Sequence, residues 1–546
     1  MTFDYDAIKT NMIPHKVADY TYTYGTAGFR TKAFLLDSVM YKVAILATLR
    51  SKKLNGATIG VMITASHNPE EDNGVKLVDP RGEMLEQSWE VYATKLANAK
   101  DGETLAEVIE EIVAVNKINL ESEGAVIYGY DTRPSCPELV KCLESGLKAS
   151  GAKATNFGLL TTPMLHYLVR CINTENTSDA YGEPNEEGYY KKLADAFKTA
   201  VKGKTRLSKL HVDCANGVGA PKLREFLTHL SEDVLSIEIL NDDTTTEGKL
   251  NKNCGADYVK TQQRAPPGTQ IAHGDRFCSY DGDADRIVFY YVDSDGVFRL
   301  LDGDKIAGLA AMFIMELVKD AGINTIKVAV VQTAYANGSS TNYLSKVLNV
   351  PVSCVPTGVK HLHHEAEKYD IGVYFEANGH GTVLFSPDAL NTIKTAEAQT
   401  PAQKHAISQL QALTELINQT VGDAISDMLL VETILTNRQW SPEEWDQAYT
   451  DLPNRLVKVV VADRHIFKTT NAERQLVEPA GLQAEIDAHV AKYSQGRSFV
   501  RASGTEDAVR VYAEAATRSE TDELAYKVAQ LVYDRAGGVG PRPLMA

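Results

Sequence analysis

The sequence predicts an α/β protein: three similar mixed α/β domains in series plus a smaller C-terminal α+β domain. Runs rich in Val and Ile alternate with segments of helical periodicity through most of the chain. A polar stretch from Asn173 to Gly188, carrying Gly, Pro, Asn and Glu, separates the first such block from the next. After about Trp440 the order changes to several strands followed by one helix. At about 100 to 200 residues per domain, the length leaves room for roughly three to five cores.

The first domain is expected over residues 1–178. Its helices are Asp37 to Lys53 and Pro137 to Ser150, and its strands Ala57 to Ala65, Ala125 to Tyr130 and Lys153 to Leu160. The second, 179–297, holds helices Tyr189 to Val201 and Pro221 to Leu230 with strands Leu210 to Cys214 and Leu235 to Leu240. The third, 298–440, repeats the scheme with helices Lys305 to Lys319 and Ser340 to Leu348 and strands Lys327 to Gln332 and Gly372 to Glu376. The last, 441–546, has strands Val457 to Ala462, Ser498 to Arg501 and Val509 to Ala515 and a helix around Glu523 to Val532.

Composition excludes several function classes. A net charge of −16 repels nucleic acid and anionic membranes at long range, so neither is an expected partner. The longest apolar stretch, Ile306 to Met315, ends at Glu316 and falls short of the roughly 20 residues a spanning helix needs. No secretory pattern opens the chain, and seven cysteines without paired spacing suit a reducing compartment, so the expectation is a cytoplasmic protein.

Four loops carry chemistry. Thr64-Ala65-Ser66-His67-Asn68-Pro69 follows a strand that cannot continue through Pro69, which presents Ser66 on a loop. A serine hydroxyl becomes a nucleophile only with help, and His67 and Lys76 stand near in sequence; a plain hydrogen-bonded turn is the competing reading. Asp281-Gly282-Asp283-Ala284-Asp285-Arg286 brings three carboxylates to alternate positions, where they repel unless a hard cation joins them. Arg286 and Val292 occupy the glycine and glutamate places of a calcium loop, and three oxygen ligands without Cys or His favour magnesium; a solvated acidic turn is the alternative. Asp302 and Asp304 precede a helical segment and read as cap and first-turn charges.

Glu376-Ala377-Asn378-Gly379-His380-Gly381 groups a carboxylate, an amide and an imidazole with two glycines that would let a ligand approach. This suits a polyhydroxylated sugar, and an Asn-Gly turn is its bland competitor. Upstream, Thr357 to His361 can add a cation. Arg501-Ala502-Ser503-Gly504-Thr505-Glu506, with Arg510 on the next strand, combines guanidinium forks, hydroxyls and a glycine into a phosphate cradle. A polar hairpin whose arginines pair with Glu506 and Asp507 is the other reading.

In this order the four loops resemble the α-D-phosphohexomutase superfamily, and Gly25-Thr26-Ala27-Gly28-Phe29-Arg30 resembles its N-terminal motif. The resemblance implies four domains around a central cleft into which Ser66, the aspartates and the arginine cradle converge. It implies catalytic roles for Ser66, His67, Lys76 and Arg30, and one Mg2+ per chain on Asp281, Asp283, Asp285 and the phosphorylated Ser66, with Arg286 beside it. It implies sugar contacts from Glu376, Asn378, Gly379, His380 and His361, and phosphate contacts from Arg501, Ser503, Gly504, Thr505 and Arg510.

The motif Glu-Ala-Asn-Gly-His-Gly is similar to that of the branch acting on N-acetylglucosamine phosphate. Consistently, Gly129 to Pro134 and Thr161-Thr162-Pro163 follow the serine loop, whereas in most of the superfamily such segments precede it. Arg133 is therefore a structural candidate only. The implied activity is an isomerase that interconverts the 6- and 1-phosphates of N-acetylglucosamine through a phosphoserine and a glucosamine-derived bisphosphate, supplying UDP-N-acetylglucosamine synthesis. A glucose or mannose phosphate mutase, a silent sugar-phosphate-binding homologue and a phosphatase are the alternatives. Oligomeric state is not legible.

Overall fold

The computed structural model describes residues 3–503 and 507–545, so Gly504 and Thr505 of the expected phosphate loop lie outside the described residues. The chain divides into two compact units. One comprises Met1–Asp302, Asn378–Thr382 and His405–Pro442; the other comprises Gly303–Ala377, Val383–Lys404 and Glu443–Ala546.

The first unit holds two five-stranded sheets. In the first, strands run in the order Phe29–Lys32, Asp72–Val78, Ile59–Ile63, Ala125–Tyr130, Lys153–Leu159. Asp72–Val78 is antiparallel to both neighbours, which sets Lys76 opposite Met62 and Gly74 opposite Arg30. The remaining pairs are parallel. Helix Asp37–Lys53 is buried along nearly its whole length and packs on Cys136–Ala149, beside a sheet of Val, Ile and Met that needs cover on both faces. The strand Asp72–Val78 and helices Gln87–Asn98 and Gly102–Asn116 add to the predicted set.

The second sheet runs Phe298–Leu301, Ile287–Val292, Arg276–Tyr280, Leu210–Asp213, Ile237–Leu240. Phe298–Leu301 lies past residue 297, yet it pairs antiparallel with Ile287–Val292. The hairpin between them turns at Asp293 to Val297, where the Asp293 carboxylate accepts from the Asp295 and Val297 amides. Helix Ala424–Arg438, capped by Asp423, is almost wholly buried in this unit.

A four-stranded sheet runs in the order Val352–Val355, Val328–Thr333, Ile371–Phe375, Gly381–Phe385, and the second unit contains a three-stranded antiparallel sheet, Asn454–Val460, Ala508–Glu514, Arg497–Ala502. The terminal helix Arg518–Arg535 covers one face of the latter. The predicted helix Ser340 to Leu348 is instead an α-helical turn, Gly338–Asn342, followed by a π-helical one, Tyr343–Val347. Asp304 does sit in the first turn of helix Gly303–Asp320, where it accepts from the Asn337 amide, and Asp302 pairs with Lys260. No helix among the described residues is long and apolar enough to cross a membrane.

Candidate active site

Ser66 sits just past the end of strand Ile59–Ile63, buried, with a left-handed φ of 50°. That conformation is costly for a residue with a Cβ, and the surroundings hold it in place. The Ser66 amide donates to Thr64 Oγ1 at 3.0 Å, and that hydroxyl donates to Asp131 Oδ2 at 2.7 Å. Arg133, fully buried, donates to the carbonyls of Ser66 and Asn68 at 2.9 Å, Pro69 at 2.6 Å and Asp72 at 2.8 Å. Asn251 donates to the Ser66 carbonyl as well, at 2.8 Å. The Ser66 carbonyl is thus anchored from two sides.

Its hydroxyl faces the acidic loop. Ser66 Oγ donates to Asp281 Oδ2 at 2.5 Å. Asp281, Asp283 and Asp285 are all buried, and each offers an oxygen within 4.8 Å of the others. The loop is wound tightly at Ala284, φ 58°, so that Asp281 Oδ1 accepts from the Asp285 and Arg286 amides at 3.1 and 3.2 Å. Thr162 donates to Asp283 Oδ2 at 2.5 Å. A Cβ on Gly282 would stand 2.6 Å from the Ser66 carbonyl, so only glycine lets the two loops approach this closely.

Three buried carboxylates repel, and the loop shows it. Burial, then Asp285 and Asp283, push the Asp281 carboxyl well above its usual range. Burial acts the same way on Asp285, but His380, Lys76 and Arg286 outweigh it and hold that carboxyl well below its usual range. Among the described residues, Asp283 Oδ1 and Asp285 Oδ1 are buried acceptors with no hydrogen-bond donor, although His380 Nδ1 stands 3.4 Å from the latter. A set of hard oxygens converging in this way fits a divalent cation.

Cations ring the cluster. Lys76 Nζ lies 3.5 Å from Asp283 Oδ2 and 3.4 Å from Asp285 Oδ2, and Arg286 Nε 3.8 Å from Asp281 Oδ2. Arg30 donates to Asn68 Oδ1 at 3.3 Å; burial and then Arg286 lower its pKa, the sign of two guanidinium groups crowded together. His67 Nδ1 is 3.5 Å from Ser66 Oγ, and burial, Arg286 and Arg30 push the imidazole down to about 2. His67 is therefore a neutral ring beside the serine.

The Asn-Gly-His segment belongs to the same unit, and its glycine does different work from that expected. Gly379 has φ 87°, and a Cβ there would lie 1.9 Å from the Ile287 carbonyl. The Ile287 amide donates to the Gly379 carbonyl at 3.1 Å, so the space where a Cβ would stand is filled by the Ile287 backbone. His380 is buried with Nδ1 2.8 Å from the Asp285 carbonyl, and its amide donates to Asn378 Oδ1 at 3.0 Å. The segment is a brace under the acidic loop.

In the second unit, Glu376 follows strand Ile371–Phe375 and His361 is an exposed residue of helix Val359–Ala366. Arg501 and Arg510 stand directly opposite each other on neighbouring strands, and Lys458 is directly opposite Arg510 on the third. Arg501 also has a carboxylate beside it, Glu473 Oε1 at 3.2 Å from its Nε. Ser503, buried at the strand end, donates its amide to the Ala508 carbonyl at 2.8 Å.

Asn251, Thr162 and Lys458 carry no motif that marks them. Thr162 stands in the Thr-Thr-Pro segment, where a helix-capping threonine pair is the ordinary reading; Thr161 is the cap and Thr162 the donor to Asp283.

Four family models match the chain in succession. "Phosphoglucomutase/phosphomannomutase, alpha/beta/alpha domain I" matches residues 31–102 and 94–180, and "Phosphoacetylglucosamine mutase AMG1, domain II" matches 183–288. Domain III of the latter matches 302–440, and "Phosphoglucomutase/phosphomannomutase, C-terminal domain" matches 456–531. The human phosphoacetylglucosamine mutase is 53% identical over 525 residues, covering 95% of both chains. The chain belongs to the phosphoacetylglucosamine mutase family. It is an isomerase of the phosphohexomutase class.

Solved structures agree. The Aspergillus fumigatus N-acetylphosphoglucosamine mutase in complex with GlcNAc-6P and magnesium is 58% identical, with a TM-score of 0.94 over 97% of this chain and 98% of that one. A serine-to-alanine variant of the same enzyme, in complex with glucose 1,6-bisphosphate, is 57% identical, with a TM-score of 0.94 over 98% of this chain and 99% of that one.

Proposed function

We propose that this chain interconverts N-acetylglucosamine 6-phosphate and N-acetylglucosamine 1-phosphate through phosphorylated Ser66 and a glucosamine-derived bisphosphate. The observation that carries the reading is the Ser66 hydroxyl 2.5 Å from Asp281 inside the three-carboxylate loop. Asp281, Asp283, Asp285 and a phosphoserine oxygen would hold one Mg2+ per chain, which would supply positive charge against the negative charge of the transferring phosphoryl group.

In the first half-reaction a sugar hydroxyl attacks the phosphorus, the new O–P bond forms, and the Ser66 O–P bond breaks. The proton leaving the sugar hydroxyl must reach the departing Ser66 oxygen, and Lys76, beside Asp283 and Asp285, is the relay. His67 stands beside the serine, with Nδ1 3.5 Å from Ser66 Oγ. Arg30 and Arg286 steady the phosphoryl oxygens. The bisphosphate then turns, and Ser66 takes back a phosphoryl group from the other end.

Turning requires groups that serve either orientation. Arg501, Ser503 and Arg510, with Gly504 and Thr505, hold whichever phosphate is not reacting. Glu376, Asn378, His380 and His361 offer donors and acceptors to the ring hydroxyls. The product feeds UDP-N-acetylglucosamine synthesis, and the seven unpaired cysteines fit a reducing cytoplasm.

Intact-protein mass spectrometry with and without glucosamine 1,6-bisphosphate tests serine, donor and sugar together. One phosphoryl group should be gained on Ser66, and lost to added N-acetylglucosamine 6-phosphate faster than to glucose 6-phosphate. Equal or reversed rates would transfer the chain to the glucose or mannose class. Failure to take up phosphate at all would leave only sugar-phosphate binding, and net release of inorganic phosphate would mark a phosphatase.

A further inference from the structure

The hairpin formed by Lys468–Thr470 and Gln475–Glu478 turns through three successive non-glycine residues in the left-handed region, Asn471, Ala472 and Glu473, with φ of 51°, 54° and 65°. Each is disfavoured for an L residue, and a run of three persists only where something fixes it. What fixes it is the last side chain. Glu473 Oε2 accepts from both the amide and the hydroxyl of Thr357, at 2.8 and 2.5 Å. Its other oxygen, Oε1, lies 3.2 Å from Arg501 Nε, an ion pair without hydrogen-bond alignment. The guanidinium of Arg501 also stands 6.0 Å from the Tyr335 ring centroid. All four residues belong to the second unit.

We propose that Glu473 is a positioning residue: it holds Arg501 by its Nε side for phosphate and ties that strand to the Thr357 turn ahead of helix Val359–Ala366. This deepens the proposed function and rests on Arg501 being a phosphate ligand. Two features favour positioning over competition with phosphate. Glu473 comes closest through Nε, whereas a carboxylate imitating phosphate gains most from the paired Nη edge. Its other oxygen is already committed to two Thr357 donors, which fixes the carboxylate as a strut between two loops. A single long side chain such as Arg501 loses much rotamer freedom when it binds, and a partner that orders it beforehand lowers that cost.

The test is steady-state kinetics at fixed glucose 1,6-bisphosphate with Arg501→Gln, Glu473→Gln and Thr357→Val. Glu473→Gln should raise KM for N-acetylglucosamine 6-phosphate about tenfold, the factor that corresponds to about 1.4 kcal/mol, with a much smaller fall in kcat. Thr357→Val should act in the same direction, and the double variant should do little more than Glu473→Gln alone. An unchanged KM in Glu473→Gln overturns the proposal, and a lowered KM shows the carboxylate to be a competitor for phosphate. If Arg501→Gln also leaves KM unchanged, the phosphate reading of Arg501 has failed; if it alone raises KM, only the role of Glu473 has.

Discussion

Arg133 donates through Nη2 to the carbonyl of Ser66 at 2.9 Å, and the same guanidinium reaches the carbonyls of Asn68, Pro69 and Asp72. One buried cation therefore sets the backbone of the whole serine loop, with Asp131 at 3.2 Å from Nε as its counter-charge.

Arg133→Met leaves the Asp131 charge buried without its counter-charge and removes a donor from four carbonyls, of which those of Ser66 and Asn68 keep only Asn251 among the described residues. Loss of one partner of a buried pair costs about 3 to 5 kcal/mol, so the melting temperature should fall clearly in differential scanning calorimetry. Hydrogen exchange should rise in the Ser66 and Asn68 amides first, because their loop loses its clamp. A variant that melts like the wild type would remove Arg133 from the account of Ser66 geometry.

Ser66→Ala removes the nucleophile without disturbing the bonds that hold the loop, since those run through the Ser66 amide and carbonyl. Turnover should fall by about 10³-fold or more, with the melting temperature unchanged or raised. Uptake of phosphate from the bisphosphate should vanish in the mass spectrum. Persistent phosphorylation would place the acceptor elsewhere.

Metal removal should be reversible. Chelation should abolish turnover and magnesium should restore it, and Mg2+ at about 100 times its Kd should add about 2.7 kcal/mol to stability. Asp283→Asn should weaken that shift, as it removes a ligand charge from the cluster. Thr162→Val should weaken it less, since Thr162 only orients Asp283. Indifference of both activity and melting to EDTA would sink the carboxylate assignment.

Gly379→Ala separates two roles for one glycine. With φ 87° and a Cβ placed 1.9 Å from the Ile287 carbonyl, alanine must part the Ile287 amide from the Gly379 carbonyl. The expected loss is about 3 kcal/mol, seen as a lower melting temperature together with weaker magnesium binding, because His380 and Asp285 move with it. A variant with normal melting and only a raised KM would return Gly379 to the ligand.

Much of the site was legible because its chemistry is written in short contiguous loops. Ser66 follows a strand that Pro69 must end, and Asp281, Asp283 and Asp285 alternate with a single cation, Arg286, beside them in sequence. Arg501 and Arg510 were legible as an arginine pair; Lys458, equally opposite Arg510, was not, because strand register is a three-dimensional fact. Asn251 reaches Ser66 across 185 residues, and Glu473 reaches Thr357 across 116, and neither spacing leaves a local trace. Gly379 shows the opposite error: an Asn-Gly pair signals backbone freedom, but which neighbour uses the freedom depends on packing. Helix Ala424–Arg438 was hidden for a related reason. It is buried around nearly its entire circumference, so its apolar residues show no single stripe.

That buried helix leads to a prediction about pH. Asp423 caps its N-terminus and accepts from Tyr189 Oη at 2.8 Å, Asn418 Nδ2 at 2.9 Å and the Ile425 and Ser426 amides at 3.1 and 3.2 Å. Among the described residues, Asp427, one turn on, accepts only from the Asp423 amide, at 3.4 Å, and its Oδ1 is buried without a hydrogen-bond partner. Burial, then the charge of Asp423, hold the Asp427 carboxyl well above its usual range. In the unfolded chain that carboxyl ionises near about pH 3.9, so above that pH the folded state binds the extra proton. Stability is therefore lost as pH rises from about 4 toward the folded pKa, at up to about 1.4 kcal/mol per pH unit. Asp427→Asn has no proton to lose and keeps the shape. Its melting temperature should exceed that of the wild type by a margin that widens as pH rises from about 4 toward the folded pKa. A margin that is constant or shrinks with pH would mean that Asp427 is ionised in the fold, and that some donor to it compensates for its burial.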